Sequence, residues 1–373
     1  MSYNLHLTSK TVAAGALMIS LGCTHATQTG VESPRPARPT FSAAGALLTR
    51  IGNSARGLFE TQTVSLALDR IDQRDLPLDK TYRRAGTGRG VTVYVFDGGI
   101  LDTHPELAGR VRKGYDAFPN DPKVCNAHGT AVAGAIAGKT LGVAPEAQLV
   151  DVKMVECSKL RGTINAIVDG TAWVIEDHRA HGGAPAVANW SFIADTASHI
   201  PQLDSAVARL RAAGIPVIVS AGNVEMNACR ISPGNAEGAV VVGASAVSRE
   251  AGSNDVVDHR AENTAFGPCV DLYAPGDSVL LPSFDAGQTP NVQLWNGTSM
   301  STGYVSGAFA LYFESHPYGT PDQALQYIRS LATPNVVRDT YSPFSWLLYV
   351  GPAREPVPSV AEVRAQLATA RRP

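Results

Sequence analysis

At Asn296-Gly297-Thr298-Ser299-Met300-Ser301 a polar loop passes into an apolar segment, which predicts a buried helix over about residues 299–315. Within that helix, Gly303 and Gly307 stand one turn apart. Because glycine destabilises a helix interior, this pair indicates that another backbone packs closely against the same face. The first amide N–H groups of a helix have no helical partners, so the stretch predicts a fixed serine hydroxyl beside hydrogen-bond donors.

A serine at a helix start is often only a capping residue, and Ser299 predicts chemistry only if a base and a carboxylate accompany it. Asp97 follows an apolar run at 91–96, and His128 opens a second helix of small residues. Taken singly, Asp97 is explained as a turn carboxylate and His128 as a packed helix-start histidine. Their joint presence with Ser299 indicates a nucleophile, a general base and an orienting acid.

From about residue 66 onward, short apolar runs alternate with helical patterns. The runs are typical of strands in a parallel sheet that is covered on both faces, and they lie at 91–96, 148–155, 186–190, 217–220, 240–243 and 270–273. The helical patterns between them lie at 128–138, 162–177 and 202–214. This alternation predicts right-handed βαβ units and an α/β three-layer sandwich with a mainly parallel, doubly wound sheet. Asp97 and Asn223 directly follow predicted strands, at the edge where sites form in such sheets.

In chain order, the segments around Asp97, His128 and Ser299 resemble those of the subtilase serine proteases, an order that differs from that of the α/β-hydrolases. Further stretches at 68–74, 220–223 and 270–276 are similar to the proteinase K and aqualysin branch. The resemblance covers residues 66–351. It implies a subtilisin-like fold and an exported serine endopeptidase that hydrolyses polypeptide substrates through an acyl-enzyme.

The resemblance also assigns roles to the matching residues. His128 is expected to take the proton of Ser299, and Asp97 to orient the imidazole and stabilise its charged form. The Asn223 side-chain amide and the Ser299 backbone N–H are expected to bind the oxyanion. No organic cofactor takes part in this chemistry.

A substrate groove is implied by the same resemblance. Extended substrate is expected to pair with the segment Ser191-Phe192-Ile193, a main-chain pairing that gives affinity while pockets give selectivity. With Ser220-Ala221-Gly222, this segment is expected to wall the pocket for the residue before the scissile bond. Family members have glycine where this chain has Ile193, whose stiff, branched side chain adds volume. The sequence therefore predicts a narrowed pocket that prefers small residues such as alanine.

Four departures from the family pattern leave a second interpretation open. Gly98 removes a hydroxyl beside the predicted catalytic carboxylate, and Ala131 stands where histidine is usual. Residues 302–304 and 191–194 also differ. The alternative is a catalytically weak, subtilase-fold protein that binds peptides without turning them over. An α/β-hydrolase esterase is disfavoured, because Ser301 stands where the nucleophile elbow requires glycine.

The composition is that of an ordinary soluble globular protein. The 373 residues are 44% hydrophobic and 17% charged, with a formal net charge of −2. This length accommodates one large α/β domain with short extensions. The charge balance argues against nucleic acid or an anionic membrane surface as a partner, and a monomer is expected.

The N-terminal residues are expected to direct export and to take no part in the fold. Lys10 precedes an apolar run at 12–21 that is too short to span a bilayer, so residues 1–22 are predicted to be a signal peptide. The stretch Ser20-Leu21-Gly22-Cys23 resembles a bacterial lipoprotein cleavage site. A lipid anchor at Cys23 and simple cleavage after Ala26 both stay open, and both place the mature chain outside the cytoplasm.

The remaining boundaries follow from composition and from the resemblance. Residues 23–60 are predicted to be a linker or a vestigial propeptide, because the folded propeptide of the family is roughly twice as long. Residues 61–351 are the predicted catalytic domain, and residues 352–373 are a C-terminal tail.

Beyond the export segment lie four cysteines, Cys125, Cys157, Cys229 and Cys269, whose spacing allows three pairings. The resemblance implies disulfides that join Cys125 to Cys157 and Cys229 to Cys269.

A structural calcium ion is also implied by the resemblance. Asp271 matches a carboxylate ligand, and the backbone carbonyls of Glu237 and Ala239 match further oxygen ligands, a mixture that calcium accepts. The alternative for Asp271 is an ordinary carboxylate at a strand end.

Overall fold

The three-dimensional structure is a computed structural model, and it describes residues 18–20, 65–194, 199–250 and 253–352. The strands in these ranges are β1 (Met18–Ser20), β2 (Thr92–Asp97), β3 (Val111–Asp116), β4 (Gln148–Lys153), β5 (Val155–Glu156), β6 (Arg161–Thr163), β7 (Ala186–Trp190), β8 (Ile193–Ala194), β9 (Val217–Ser220), β10 (Val240–Arg249), β11 (Val256–Arg260), β12 (Leu272–Pro275), β13 (Val279–Phe284), β14 (Pro290–Trp295), β15 (Thr333–Pro334) and β16 (Trp346–Leu347). The α-helices are α1 (Leu66–Ile71), α2 (His128–Ala137), α3 (Ile164–Ala180), α4 (Pro201–Ala212), α5 (Thr298–Ser315) and α6 (Pro321–Leu331).

A ten-stranded sheet forms the middle of the fold, in the order β15-β16-β12-β10-β9-β7-β2-β4-β3, with β11 paired to β10. Its seven strands from β12 to β3 all run parallel. Side chains alternate between the two faces of a strand. In β2, Val93 and Val95 therefore join one core cluster, and Tyr94 and Phe96 join the other.

Helices cover both faces of this sheet. The apolar side chains of α2 and α5 share a core with Val93 and Val95, whereas those of α3 and α4 share a core with Tyr94 and Phe96. Both faces of the parallel strands are thus buried, as the near-continuous apolar runs predicted. The predicted α/β three-layer sandwich is confirmed.

The two glycines of α5 lie against the backbone of α2. A Cβ atom on Gly303 would lie 3.0 Å from the carbonyl oxygen of Val132, and one on Gly307 would lie 3.0 Å from that of Ile136. The close backbone approach predicted from the sequence is confirmed. Because Gly303 meets Val132 and Gly307 meets Ile136 one turn later, the two helices run parallel in a register that sets Ser299 level with His128.

Several elements were not predicted from the sequence, among them the outer part of β10 and the strands β13 and β14. The strand β10 continues six residues past its predicted end, because it leaves the doubly covered part of the sheet and pairs antiparallel with β11. The strands β13 and β14 form an antiparallel hairpin of their own immediately before α5. Four of the six residues of β14 are exposed, so its sequence lacks the continuous apolar run that marks the central strands.

The expectation that the N-terminal residues take no part in the fold is wrong for Met18–Ser20. This segment is β1, and it pairs antiparallel with β6 on one side and with β8 on the other. The resulting small sheet has the order β5-β6-β1-β8. The one-strand-wide space that β1 fills is called the β6–β8 gap below.

Two disulfides cross-link the loops around the sheet. Cys125 is bonded to Cys157 and Cys229 to Cys269, the pairing that the family resemblance implied. They join residues 32 and 40 positions apart, and each constrains the unfolded chain. Within the described ranges, no helix has both the length and the apolar character needed to cross a membrane.

Candidate active site

Asp97 and His128 form a buried pair at the carboxyl edge of the sheet. Asp97 is the last residue of β2 and His128 the first of α2. The Nδ1 atom of His128 lies 2.8 Å from Oδ2 and 3.0 Å from Oδ1 of Asp97. Because Nδ1 faces the carboxylate, the second ring nitrogen, Nε2, is the one turned toward any reacting group.

Glycines make this pair possible. Gly99 has φ +102°, and a Cβ there would lie 2.3 Å from the carbonyl oxygen of Lys123. A Cβ on Gly129 would lie 2.5 Å from the carbonyl oxygen of Gly99 and 3.0 Å from Oδ1 of Asp97. A side chain at either position would therefore separate the loop after Asp97 from the start of α2. A hydrogen bond also joins this loop to α2, because the hydroxyl of Thr130 accepts from the Leu101 N–H at 2.9 Å.

The same loop is anchored from behind by a second carboxylate. Asp151 lies on β4, and its Oδ2 accepts from the Ile100 N–H at 3.1 Å and from the Lys113 ammonium at 3.1 Å. Burial raises the pKa of Asp151 to about 6, against the opposing effect of Lys113. One signal of this residue is visible in the sequence, namely a charged side chain within the largely apolar run at 148–155.

Ser299 is the second residue of α5 and is almost fully buried. Its Oγ donates to the carbonyl oxygen of Ser191 at 3.2 Å, and the hydroxyl of Ser191 donates back to the carbonyl oxygen of Ser299 at 3.0 Å. A buried chain of hydrogen bonds continues from there. The Nδ2 group of Asn189 donates to Oγ of Ser191 at 2.9 Å, and Ser306 donates to Oδ1 of Asn189 at 2.9 Å. The end of β7 is thereby locked to α5.

The side chain of Asn223 binds Thr298, the first residue of the same helix. Its Oδ1 accepts from the backbone N–H of Thr298 at 2.8 Å and from the Thr298 hydroxyl at 3.0 Å. These two contacts fix the orientation of the amide, so that its Nδ2 group is the donor end. A Cβ on Gly297, which has φ +131°, would lie 2.8 Å from that Nδ2 atom. Glycine is therefore required where the loop passes the amide.

Two features of the site escaped sequence reasoning. The ring of Trp295, the last residue of β14, meets the His128 ring edge-on at a centroid distance of 6.4 Å. Nothing in the sequence around Trp295 indicates this contact. Asn189 was also missed, although a lone amide within the apolar run at 186–190 is a usable signal, because a buried polar side chain requires partners.

Of the six residues predicted to form the groove, four have side chains directed into the protein. Phe192 stacks on Trp190 at 5.4 Å within the core. The hydroxyls of Ser191 and Ser220 are buried in hydrogen bonds, the latter with Thr302 at 3.2 Å, and Ala221 is fully buried. These residues can contribute only their backbones to a groove.

Ile193 and Gly222 are the other two. A Cβ on Gly222 would lie 3.1 Å from Cδ1 and 3.3 Å from Cγ2 of Ile193. The isoleucine side chain therefore fills the space above this glycine.

Comparison with known proteins identifies the family of this chain. A profile described as the subtilase family matches residues 88–345. The chain belongs to the subtilase family. This subtilase is 41% identical over 286 residues to an extracellular serine proteinase of Thermus sp. (strain Rt41A), an alignment that covers 76% of this chain and 65% of the relative. It is 37% identical over 284 residues to an alkaline serine exoprotease A of Vibrio alginolyticus, covering 76% and 49%. It thus spans between half and two thirds of the length of these relatives.

Solved structures agree. A cold adapted subtilisin-like serine proteinase aligns with a TM-score of 0.67 and 36% identity, over 77% of this subtilase and 98% of that chain. The comparison supports a subtilisin-like α/β fold for the aligned part of this subtilase.

Asp271, the carboxylate predicted to bind calcium, contacts two groups of the protein itself. One carboxylate oxygen of Asp271 contacts the guanidinium of Arg329 on α6, and the other accepts from the Val241 N–H at 2.7 Å. A divalent cation at this carboxylate would meet the positive charge of Arg329. Among the described residues, no group of three or more His, Cys, Asp or Glu side chains is arranged to hold a metal. The calcium site at Asp271, Glu237 and Ala239 stays a prediction.

Proposed function

We propose that this subtilase is an exported serine endopeptidase that cleaves peptide bonds by way of an acyl-enzyme. The observation that carries the proposal is the buried Asp97–His128 pair at 2.8 Å, set level with Ser299 by the packing of α2 against α5. Export is supported by the two disulfides, which persist in oxidising compartments, and by the extracellular relative from Thermus.

In the proposed acylation, Ser299 attacks the scissile carbonyl carbon while His128 takes its proton at Nε2. Asp97 keeps the proton on Nδ1 and stabilises the imidazolium that forms. The developing oxyanion receives hydrogen bonds from Nδ2 of Asn223 and from the Ser299 N–H at the start of α5, where the helix dipole favours negative charge. His128 then gives the proton to the leaving amine, and water hydrolyses the ester.

The proposed substrate is an extended polypeptide. The β6–β8 gap is one strand wide and is bordered on both sides by backbone N–H and C=O groups, as its pairing with β1 demonstrates. A substrate strand in this gap would run toward Ser191, whose carbonyl accepts the hydroxyl of Ser299. Main-chain pairing gives affinity for any sequence, so selectivity rests on the pocket beside Ile193.

Covalent labelling tests the proposal. A fluorophosphonate should modify the full chain at Ser299, with the adduct located by peptide mass spectrometry. Ser299→Ala should abolish labelling and lower kcat on a peptide substrate by on the order of 10⁶, the magnitude known for removal of a subtilisin triad member. Ser315→Ala, at the exposed end of the same helix, is the matched control and should retain both.

The alternative, a peptide-binding protein without turnover, has a distinct outcome in the same experiment. It predicts that the parent chain binds peptides but is not labelled, and that Ser299→Ala leaves the slow residual hydrolysis unchanged.

A further inference from the structure

We propose that the outer part of β10 is a second peptide-binding site, which takes an extended polypeptide strand by main-chain pairing. The site is separate from the β6–β8 gap and from Ser299. Two independent observations carry the proposal, the direction of the backbone groups of β10 and the lining of the cleft beside them. That cleft is bordered by residues 245–249, by the start of α1 and by residues of the segment 275–280, and it is called the β10 cleft below.

Backbone hydrogen bonds show which way each residue of β10 faces. On the side of β12, the Ser245 carbonyl accepts from the Gly276 N–H at 3.0 Å. On the opposite side, the Ala244 carbonyl accepts from the Ala261 N–H at 2.9 Å. The N–H and C=O groups of one strand residue point the same way, and the direction alternates from residue to residue. The odd-numbered residues of β10 therefore face the side of β12, and the even-numbered residues face β11.

The strand β12 ends before β10 does. It finishes at Pro275, which pairs with Ser245, and the chain then turns toward β13. β10 continues to Arg249, paired with β11 on its other side. The N–H and C=O groups of Val247 and Arg249 therefore face the β10 cleft, and no residue that the structure describes pairs with them there. Unpaired groups of this kind are a template for another strand.

Apolar side chains line the β10 cleft, which has a volume of 640 Å³. Val247 and Val256 are 39% and 41% exposed, and Leu66 of α1 and Leu280 of β13 contribute to the other walls. The volume is typical of ligand sites, and clustered exposed apolar side chains mark interaction surfaces. Because side chains alternate along a strand, this lining favours an extended peptide with an apolar residue at every second position.

The charged residues of the lining favour an acidic peptide. Lys80 and Arg249 border the β10 cleft, against one carboxylate, Asp277. A third cation of the lining, Arg70, is already paired with Asp258 at 2.7 Å. The occupant with complementary charge is therefore a strand that carries an acidic residue beside its apolar ones.

The walls of the cleft decide between a peptide and a second copy of this chain. Paired strands lie about 4.7–4.9 Å apart. The same β10 edge of a second copy is flanked by its own α1 and its own segment 275–280, and these would meet the walls of the first copy before the two strands could pair. A single peptide strand has no such flanking elements and can enter.

One wall of the β10 cleft is bonded to the loop that precedes Ser299. The Gly276 carbonyl accepts from the Gly297 N–H at 2.7 Å, and the Ser278 N–H donates to Oδ1 of Asn296 at 2.5 Å. A strand in the cleft would therefore lie against the segment that fixes this loop. The second site adjoins the proposed nucleophile without being part of its substrate path.

Hydrogen exchange at single amides tests the pairing. The protein is the full Ser299→Ala chain, and the probe is the peptide Glu-Val-Thr-Val-Thr-Val with both ends blocked. Without the probe, the Val247 and Arg249 amides should exchange fast. Saturating probe should slow both at least about tenfold, because each gains a strand partner. The Ser248 amide, which faces β11, is the internal control and should not change.

Val247→Pro tests whether main-chain pairing carries the binding. The change removes an N–H group that no described strand uses, and proline is tolerated at such an edge, so the fold should be retained. The probe concentration that half-protects the Arg249 amide should rise at least about tenfold. Val247→Thr keeps both the N–H group and the branched shape, and as the matched control it should bind like the parent.

Several outcomes would overturn the inference. One is fast exchange at Val247 and Arg249 under saturating probe, and another is equal probe binding by Val247→Pro and Val247→Thr. Slow exchange of both amides before the probe is added would show that the edge is already paired. Dilution then identifies the partner, since only a second copy would be lost. None of these measurements requires Ser299, so failure of the proposed endopeptidase would leave the inference standing.

Discussion

At the scale of single residues, the candidate site is held by side chains that each make more than one contact. Asn223 is the clearest case, because its oxygen fixes the start of α5 through Thr298, whereas its nitrogen is the proposed donor to the oxyanion. A substitution that removes the whole amide would disturb both functions. The proposed oxyanion role is therefore tested best by a change that keeps the oxygen.

Asn223→Asp keeps the two acceptor contacts to Thr298 and removes the Nδ2 donor. We expect kcat to fall by at least roughly 10²-fold with an unchanged melting temperature, because one oxyanion donor is worth about 3–4 kcal/mol. Asn296→Asp adds the same charge near Ser299, at a residue whose oxygen accepts from the Ser278 N–H, and controls for charge alone. A change confined to KM would remove Asn223 from the oxyanion site.

Ile193→Gly tests the predicted pocket. Removal of the side chain that fills the space above Gly222 should raise kcat/KM for peptides with Phe before the scissile bond by roughly 10-fold or more, relative to Ala. A peptide-library profile measures the change. If the parent already cleaves well after Phe, Ile193 does not limit the pocket.

Asp151→Asn tests whether the burial of Asp151 makes the stability of the protein depend on pH. The folded pKa of Asp151, about 6, is above its ordinary value of 3.8, so the folded state holds this proton more tightly than the unfolded chain. Its stabilising contribution is complete below pH 3.8 and is lost as pH rises through about 6. In a Ser299→Ala background, raising the pH from 4 to 7 should lower the free energy of unfolding of the parent. The decrease should be about 2–3 kcal/mol larger for the parent than for the Asp151→Asn variant.

Urea unfolding at several pH values measures that difference. The neighbouring titratable groups are Lys113, which pairs with Asp151, and Asp97 and Asp102 close by. Asp102→Asn changes an exposed carboxylate beside the same lysine and is the control. Parallel pH curves for Asp151→Asn and the parent would contradict a raised pKa.

At the scale of elements, the approach of α5 to α2 decides whether His128 and Ser299 lie together. Neither helix carries a strong amphipathic pattern, because both are buried on nearly all sides. Their spacing is instead set by Gly303 and Gly307, whose missing side chains admit the carbonyl oxygens of Val132 and Ile136. In this core, small residues therefore set how the two helices pack, whereas a surface helix packs through a broad apolar face.

Gly303→Ala should destabilise the protein, opposite to the usual effect of this change within a helix. Alanine gains up to about 1 kcal/mol of helix propensity, but its Cβ would lie 2.9 Å from that of Ala135, and such overpacking costs about 1–3 kcal/mol. Activity should fall as well, since the two helices carry the proposed catalytic groups His128 and Ser299. A rise in melting temperature would show that the helices are not in tight contact.

At the scale of the whole molecule, an ion pair engages the carboxylate that was predicted to bind calcium. Arg329 comes from α6, near the end of the described chain, and reaches Asp271 beside β12. The carboxylate is mostly buried, and its second oxygen accepts a hydrogen bond from the Val241 N–H in the sheet. Helix α6 is therefore tied to the sheet by the guanidinium of Arg329.

A chelator should leave the melting temperature unchanged if this pair replaces calcium. Arg329→Ala should lower stability by about 1–2 kcal/mol, because it strands a largely buried carboxylate, although the partial exposure of Arg329 limits the effect. Arg338→Ala breaks an exposed pair with Glu250 and should change little. A large drop in melting temperature with excess chelator would support the calcium prediction.

The sequence by itself determined the features that depend on local order along the chain. Apolar runs and helical patterns predicted the central strands and helices, because the two periodicities are properties of the backbone. Asp97, His128 and Ser299 were found because each stands at the end or the start of a recognisable element. The glycine pair of α5 could be interpreted for the same reason, because a spacing of four residues places both glycines on one face of the helix.

Only the tertiary structure decided which distant groups meet. The pairing of Asp271 with Arg329, the chain from Ser306 through Asn189 to Ser191, and the strand Met18–Ser20 within the β6–β8 gap each join segments far apart in sequence. No local period encodes such contacts. They arise because buried charges and backbone groups must find partners when water is excluded, and only the packed fold defines which partners are within reach.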